Sequence, residues 1–230
     1  MEPDRHLSII ALHGIALSDE QIEQTVPAVL QHAGAPGVNW IFPRAPRRSV
    51  TILGGASARA WYDVSTYDRS RLDEDGIQEA TSVVCDAVRA ERERDPHRRR
   101  VILLGFSQGG ALALNAGLRL QGEVDGIVAL ATAIPFPDRL TPATTQSPTV
   151  FFGHGFLDPC VPYWMGRESE RLLASKGYRT EWHTYAYRHS TGRRQLRDIS
   201  RWLQRHFLAG DPVRSRVPAS AAAFGIRHEA

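Results

Sequence analysis

The chain has 230 residues, a formal net charge of +3 and a hydrophobic fraction of 42%. This size and composition are typical of one globular domain with a full core. Two cysteines exclude a disulfide-rich scaffold. The arginines are spread along the chain, and their one tight triplet, Arg98–Arg100, is expected in a solvated loop, so nothing indicates nucleic-acid binding.

The beginning of the chain favours a cytoplasmic protein. Residues 1–6 are polar, and the apolar run Leu7–Leu12 is too short for a signal-peptide core or a membrane span. Cys85 lies in an apolar helical pattern, where we expect it to be buried, and Cys160 lies in a loop. We therefore expect a reduced protein without stable membrane insertion.

Apolar strands alternate with amphipathic helices along the chain. The predicted strands cover residues 7–12, 38–42, 101–104, 124–131, 149–152 and 179–187. The predicted helices cover about residues 18–33, 75–95, 110–121, 163–176 and 192–207. This alternation predicts an α/β fold with a mostly parallel central sheet and helices on both faces. We place the domain at residues 1–208 and treat residues 209–230 as a C-terminal tail.

Residues 43–75 show no regular pattern and are expected to form a long irregular stretch. Loops of this length are uncommon inside compact domains and are often functional. This one carries Trp61 and Tyr62, whose large side chains are costly to leave in water. They either pack the loop onto the core or form the wall of an apolar pocket, and the sequence leaves both alternatives open.

The strongest local signal is Gly105-Phe106-Ser107-Gln108-Gly109. An apolar strand precedes it and a helix rich in small residues follows it, which is the context that a nucleophile elbow requires. The two glycines satisfy the need for small residues beside the turn. The elbow would lift the Ser107 hydroxyl above the sheet edge, at a helix start where the backbone N–H of Gln108 is available to an anion.

A serine nucleophile needs a base, and we expect His189 to supply it. In sheets of this kind the chemistry lies outside the carboxyl ends of the strands. His189 directly follows a predicted strand, in the loop before the last helix. The other downstream histidines are His183 within a strand, His206 in the last turn of a helix and His228 in the tail.

The base in turn needs an acid to orient it, and Asp158 is the best placed candidate. It follows the strand at 149–152 by one short loop, at the carboxyl end of the sheet. Asp125 precedes its strand, at the opposite end, and Asp138 has no strand ending immediately before it. The plainer alternative for Asp158 is an Asx turn before Pro159.

A second backbone donor for a developing oxyanion should come from a loop after an early strand. His13-Gly14-Ile15 follows the first strand, and its glycine allows close approach of the backbone. We expect the Ile15 N–H to pair with that of Gln108 and stabilise a tetrahedral intermediate. His13 itself, like His154, is expected to pack or to form local hydrogen bonds.

Five motifs occur in order and together resemble one family. They are Leu12-His13-Gly14, Phe42-Pro43-x-Ala45-Pro46-x-Arg48-x-Val50-Thr51, Trp61-Tyr62-Asp63, Gly105-Phe106-Ser107-Gln108-Gly109-Gly110 and His154-Gly155-x-x-Asp158-x-x-Val161-Pro162. As an ordered set over about residues 7 to 208, they resemble the phospholipase/carboxylesterase family of α/β-hydrolases, which includes the acyl-protein thioesterases.

The resemblance implies hydrolysis of carboxylic esters or thioesters without a metal or other cofactor. The catalytic set that it implies is Ser107, Asp158 and His189, with Ile15 and Gln108 as oxyanion donors. It places Trp61 near the acyl or alcohol site. We expect the substrate to contact Trp61, Phe106 and Tyr187.

The sequence departs from the family pattern beside the base and in the first loop. Ala16 stands where the family often has glycine, and Arg188 directly precedes His189. Arg193 and Arg194 follow where acidic residues are common. We hypothesise that this basic rim favours anionic substrates.

Competing interpretations differ in substrate or in class. A lysophospholipase-type lipid hydrolase would share the mechanism, and a non-catalytic binding module would share only the scaffold. A dienelactone-type hydrolase is disfavoured because its nucleophile is a cysteine, and Ser107 fills that place. The expected partner is a small acyl ester or an acylated protein, and a homodimer is a weaker expectation.

Overall fold

A computed structural model of the chain describes residues 7–15, 38–66, 71–94 and 100–208. The strands are β1 (Leu7–Leu12), β2 (Val38–Ile41), β3 (Arg47–Val50), β4 (Ala56–Arg59), β5 (Arg100–Phe106), β6 (Gly126–Leu130), β7 (Thr149–Gly155) and β8 (Thr180–Tyr185). The helices are α1 (Glu74–Arg94), α2 (Gln108–Gly117), α3 (Tyr163–Ser175) and α4 (Arg193–Leu203).

Six strands form the central sheet, in the order β2-β1-β5-β6-β7-β8. Every neighbouring pair in it is parallel. The carboxyl ends of the strands therefore lie along one edge, where the loops that follow β1, β5 and β7 meet. The predicted parallel α/β architecture is confirmed.

The core lies on both faces of the sheet, because successive strand residues point to opposite sides. Ile10 and Leu103 pack with α1, α2 and α3, whereas Ile9 and Ile102 pack with α4. Trp202 of α4 is fully buried against Phe151. Burial on both faces explains why these strands are near-continuous apolar runs.

The amino end of the sheet holds a buried polar cluster. Ser8 Oγ donates to Glu91 Oε2 at 2.9 Å, and Asn39 Nδ2 donates to the same oxygen at 3.1 Å. Arg94 lies 2.9 Å from the other carboxylate oxygen. Glu91 is only 3% exposed, so these donors offset the cost of burying its carboxylate.

The prediction that residues 43–75 are irregular is wrong for part of the stretch. β3 and β4 form an antiparallel hairpin with its own small core of Val50, Ala58 and Ala60. Its turn contains Gly54 and Gly55, both at positive φ, where glycine is favoured. The strands are short and mostly polar, so they lack the apolar alternation by which a strand is predicted.

Other elements differ from prediction mainly at their ends. α2 ends at Gly117 rather than near residue 121, and β6 begins at Gly126 rather than 124. Cys85 is half-buried on α1 rather than fully buried. The helix predicted from Ser18 and the tail 209–230 lie outside the described residues. In the described part of the chain, each helix is too short or too polar to cross a membrane.

Candidate active site

Ser107 lies in a strained turn between β5 and α2. Its φ is 55° and its ψ is −117°, a conformation that a non-glycine residue rarely adopts. The turn fits only because its flanks lack side chains: a Cβ on Gly105 would clash with the Gly109 backbone, and one on Gly109 would clash with the Leu12 backbone. The predicted elbow is thus present in the backbone.

Three side chains from three loops meet at the carboxyl edge of the sheet. The Ser107 hydroxyl donates to His189 Nε2 at 2.9 Å, and His189 Nδ1–H donates to Asp158 Oδ2 at 2.8 Å. Ser107 follows β5, His189 follows β8 and Asp158 follows β7. This hydrogen-bond pattern places the histidine proton on Nδ1 and leaves Nε2 as the acceptor.

Asp158 is held as a carboxylate. It is 8% exposed, and burial alone would raise its pKa. The hydrogen bonds from His189 and the Val161 N–H, together with the nearby His154 ring, outweigh burial, so the pKa of Asp158 lies well below its ordinary value of 3.8. The backbone N–H of Cys160 also donates to Oδ1, at 2.9 Å, so Asp158 also forms the Asx turn that the sequence offered as the plainer alternative for it.

Gln108 braces the neighbouring loop with its side chain. Its Oε1 accepts from Trp61 N at 2.8 Å, and its Nε2 donates to the Tyr62 carbonyl at 2.7 Å. Both polar atoms of the side chain are therefore bonded to the backbone of this loop rather than to the Ser107 hydroxyl. As the first residue of α2, Gln108 has a backbone N–H that no earlier turn of the helix accepts.

The two expected oxyanion donors, Ile15 and Gln108, lie at the same cleft as Ser107. A Cβ on Gly14 would approach Ser107 Cβ to 3.4 Å, so the turn after β1 lies directly against Ser107. The placement suits the paired role that the sequence predicts for these two N–H groups.

The cleft beside Ser107 is lined mostly by uncharged groups. Its other lining residues are Tyr62, Asp63, Val64, Thr66, Arg71, Leu72, Ala111, Thr132, Ala133, Pro135 and Val161. Asp63 is satisfied by Thr51, whose N–H and hydroxyl donate to the two carboxylate oxygens. Within the described residues, Arg71 forms no ion pair.

The three expected substrate contacts lie around the site but are not lining residues of this cleft. Trp61 is 3% exposed, packs against His13 and donates to its carbonyl at 3.0 Å. Phe106 packs against the His189 ring, and Tyr187 stacks on Tyr185. Trp61 therefore packs onto the core, which is one of the two alternatives that the sequence left open, whereas its neighbour Tyr62 lines the cleft.

The other histidines within the described residues have structural contacts. Ala45 N–H donates to His13 Nε2, which places the His13 proton on Nδ1, bonded to the Gly14 carbonyl. The local hydrogen bonds predicted for His13 are confirmed. His206 contacts Glu181 at 2.8 Å, and His183 stacks on Phe151. His228 lies outside the described residues.

Sequence reasoning named Gln108 and His154 but missed the contacts by which each supports the site. Gln108 was predicted only as a backbone donor, and its bracing side chain has no signal in a single sequence. His154 is buried, donates from Nε2 to the Val161 carbonyl at 2.9 Å and lies 3.5 Å from Asp158 Oδ2. Its position in His-Gly-x-x-Asp is the signal that would have suggested a contact with the acid.

These features define a class of protein. A parallel α/β sheet, a strained serine after its central strand and a histidine–aspartate pair at the same edge are the parts of an α/β-hydrolase site. The family model described as phospholipase/carboxylesterase matches residues 2–207. The chain belongs to this family and is a hydrolase of the carboxylic ester or thioester class.

Known relatives span nearly the whole chain. Acyl-protein thioesterase 1 of Saccharomyces cerevisiae is 30% identical over 221 residues, covering 89% of this chain and 94% of the relative. The protein of that name from Cryptococcus neoformans is 30% identical over 217 residues, covering 85% of this chain and 90% of the relative. A crystal structure of a SOBER1 variant from Arabidopsis thaliana has a TM-score of 0.77 and 26% identity, covering 86% and 99% of the two chains.

Proposed function

We propose that the protein is a serine hydrolase that cleaves carboxylic esters or thioesters through an acyl-enzyme. The observation that carries this proposal is the continuous hydrogen-bonded series from Ser107 through His189 to Asp158, with distances of 2.9 and 2.8 Å. A hydroxyl is a poor nucleophile unless a base accepts its proton during attack. His189 Nε2 is positioned to accept it.

In the first half of the reaction, Ser107 Oγ attacks the acyl carbonyl carbon while its proton moves to His189 Nε2. Asp158 keeps the other ring proton on Nδ1 and stabilises the imidazolium. The carbonyl oxygen becomes an oxyanion, for which Ile15 and Gln108 supply backbone N–H donors. The imidazolium then protonates the departing alcohol or thiol, and an ester on Ser107 remains.

The second half repeats these roles with water. His189 Nε2 accepts a proton from a water molecule as its oxygen attacks the acyl-Ser107 carbonyl. The same backbone donors face the second oxyanion. Collapse of this intermediate returns the proton to Ser107 Oγ and releases the carboxylic acid, so no external cofactor is required.

The proposed substrate class is acyl esters and thioesters. The names of the two fungal relatives support an acylated protein as substrate. A small acyl ester or a lysophospholipid would react by the same steps. We place the protein in the cytoplasm, with the hydrolase domain at residues 1–208, and a homodimer stays an expectation.

The first test is hydrolysis of p-nitrophenyl butyrate by the full chain and by Ser107→Ala. Loss of the nucleophile should lower kcat by about 10⁴-fold or more. Ser49→Ala, on the exposed hairpin strand β3, is a matched serine control and should keep the wild-type rate. Full activity in Ser107→Ala would overturn the mechanism.

A fluorophosphonate probe separates an enzyme from a binding module on the same scaffold. An activated serine attacks phosphorus and displaces fluoride, which leaves a stable adduct on Ser107. We expect stoichiometric labelling of wild type and none of Ser107→Ala, read by intact mass. An unlabelled, folded wild type would favour the binding module.

A further inference from the structure

A third metal-ligating side chain lies beside the acid and the base. The ligand atoms of Asp158, Cys160 and His189 all lie within 4.8 Å of one another. Cys160 is two residues beyond Asp158, and the turn that its backbone N–H closes on Asp158 Oδ1 holds it there. Neither Cys160 nor Cys85 is in a disulfide. Among the described residues, this is the group of three that meets a metal-ligand spacing.

We propose that Asp158, Cys160 and His189 form an inhibitory site for a thiophilic divalent cation such as Zn²⁺. Thiolate sulfur, imidazole nitrogen and carboxylate oxygen are the three donor types that zinc takes from proteins. The inhibitory consequence rests on the proposed function, whereas cation binding itself does not.

The geometry needs only small adjustments to accept the ion. Zinc binds sulfur at about 2.3 Å and nitrogen or oxygen at about 2.0–2.2 Å, so tetrahedral ligand atoms lie roughly 3.3–3.8 Å apart. His189 Nδ1 and Asp158 Oδ2 are 2.8 Å apart and would move outward as the cation replaces the proton between them. The sulfur would move inward, and the half-buried Cys160 lies in a loop, where such a shift is possible.

The proton balance explains why binding would stop turnover. The cation takes the lone pair of His189 Nδ1, so the proton of the neutral ring moves to Nε2. The Cys160 thiol gives its proton to solvent and binds as thiolate, which makes one proton released for each cation bound. With Nε2 protonated, His189 no longer accepts the proton of Ser107. The cation thus blocks the base without touching the nucleophile.

Binding can be tested without catalysis, in the full-length Ser107→Ala variant titrated with CoCl₂. A thiolate ligand gives an intense near-ultraviolet sulfur-to-cobalt charge-transfer band. We expect this band in Ser107→Ala and in Ser107→Ala with Cys85→Ser, and its displacement by ZnCl₂. Cys85 is the matched control because it is the other cysteine, half-buried on α1. No band, or a band that survives Cys160→Ser but not Cys85→Ser, would overturn the proposal.

The inhibitory effect is tested with ZnCl₂ during hydrolysis of p-nitrophenyl butyrate, each variant being compared with its own metal-free rate. We expect EDTA to reverse the inhibition, and Cys160→Ser to raise the half-inhibitory zinc concentration by at least about tenfold relative to wild type and Cys85→Ser. Equal sensitivity of Cys160→Ser and wild type contradicts the proposal. If the wild type hydrolyses nothing, the proposed function fails and the cobalt titration alone decides the cation site.

Discussion

The two ends of the central sheet each hold a serine near a buried carboxylate, and they differ in what lies between the two groups. At the amino end, the Ser8 hydroxyl donates directly to Glu91 at 2.9 Å. At the carboxyl end, His189 is interposed between Ser107 and Asp158. Ser8 lies in a regular strand, whereas Ser107 has φ of 55° in a strained turn.

This difference teaches that residue types alone do not make a catalytic site. A hydroxyl that donates to a buried carboxylate stabilises that charge. The carboxylate is a much weaker base than the hydroxyl's conjugate base, so it is poorly suited to take the proton. An imidazole with one protonated and one free nitrogen supplies a suitable acceptor. The strained elbow also exposes Ser107 to a substrate, because Ser107 lines a cleft whereas Ser8 is fully buried. The amino-end cluster should therefore affect stability alone, whereas the carboxyl-end cluster should be required for activity.

The largest expected effect is on turnover. Asp158→Asn should lower kcat by about 10⁴-fold, because an amide cannot hold His189 in the tautomer with its proton on Nδ1. The matched change at the amino end is Asp125→Asn, which weakens contacts to Arg92 and to the Val101 N–H. That variant should lose stability and keep the wild-type kcat. Steady-state kinetics on one ester measures kcat for both variants. Equal losses of kcat would contradict the assignment of activity to the carboxyl end alone.

The second effect is a pH dependence of stability. Hydrogen bonds hold the pKa of Asp158 below its ordinary value of 3.8 against the opposing effect of burial, so its ionised form stabilises the fold above that pH. Wild type should exceed Asp158→Asn in unfolding free energy by on the order of 2 kcal/mol at pH 7.

This advantage should shrink as the pH falls below 3.8, because the unfolded wild-type chain takes up a proton at Asp158 before the folded one does, while the amide of the variant does not titrate. Urea unfolding at several pH values measures the difference. A difference that stays constant down to the acid end would contradict the assigned role of the hydrogen bonds.

A smaller effect is expected at the amino end. Ser8→Ala removes one of the donors to buried Glu91 and should lower the unfolding free energy by about 1–2 kcal/mol. Ser82→Ala, an exposed serine on α1, is the control and should change it by less than about 0.5 kcal/mol. Both variants should hydrolyse esters at the wild-type rate, and a large loss of kcat in Ser8→Ala would show that the two ends are coupled.

The smallest effect concerns selectivity. Arg71 is exposed at the cleft and lacks an ion pair within the described residues, so it should favour acyl groups that end in a carboxylate. Arg71→Gln should reduce the kcat/KM ratio of an anionic ester to its neutral, length-matched analogue by roughly two- to fivefold. Arg171→Gln, on α3, is the control. An unchanged ratio would show that Arg71 does not select anionic esters. Any anionic preference would then have to come from the rim of Arg188, Arg193 and Arg194.

The sequence predicted the parts of the molecule that have strong local signals. The apolar runs predicted the central strands, and chain order with strand ends predicted Ser107, Asp158 and His189, which the structure brings together. The polar hairpin β3–β4 was missed because its strands are held by glycine turns and backbone pairing rather than by apolar alternation. The placement of Trp61 stayed open because a single sequence does not show which side of a loop faces the core.

The double engagement of Gln108 has a consequence for engineering. Its backbone N–H is the proposed oxyanion donor, while its side chain fixes the position of Trp61 and Tyr62. A mutational library at Gln108 would confound two effects, because a substitution there would change the shape of the loop and the geometry of the oxyanion donor at the same time. Selectivity is better explored at Val64, Leu72 and Ala133, which line the cleft and carry no role in proton transfer.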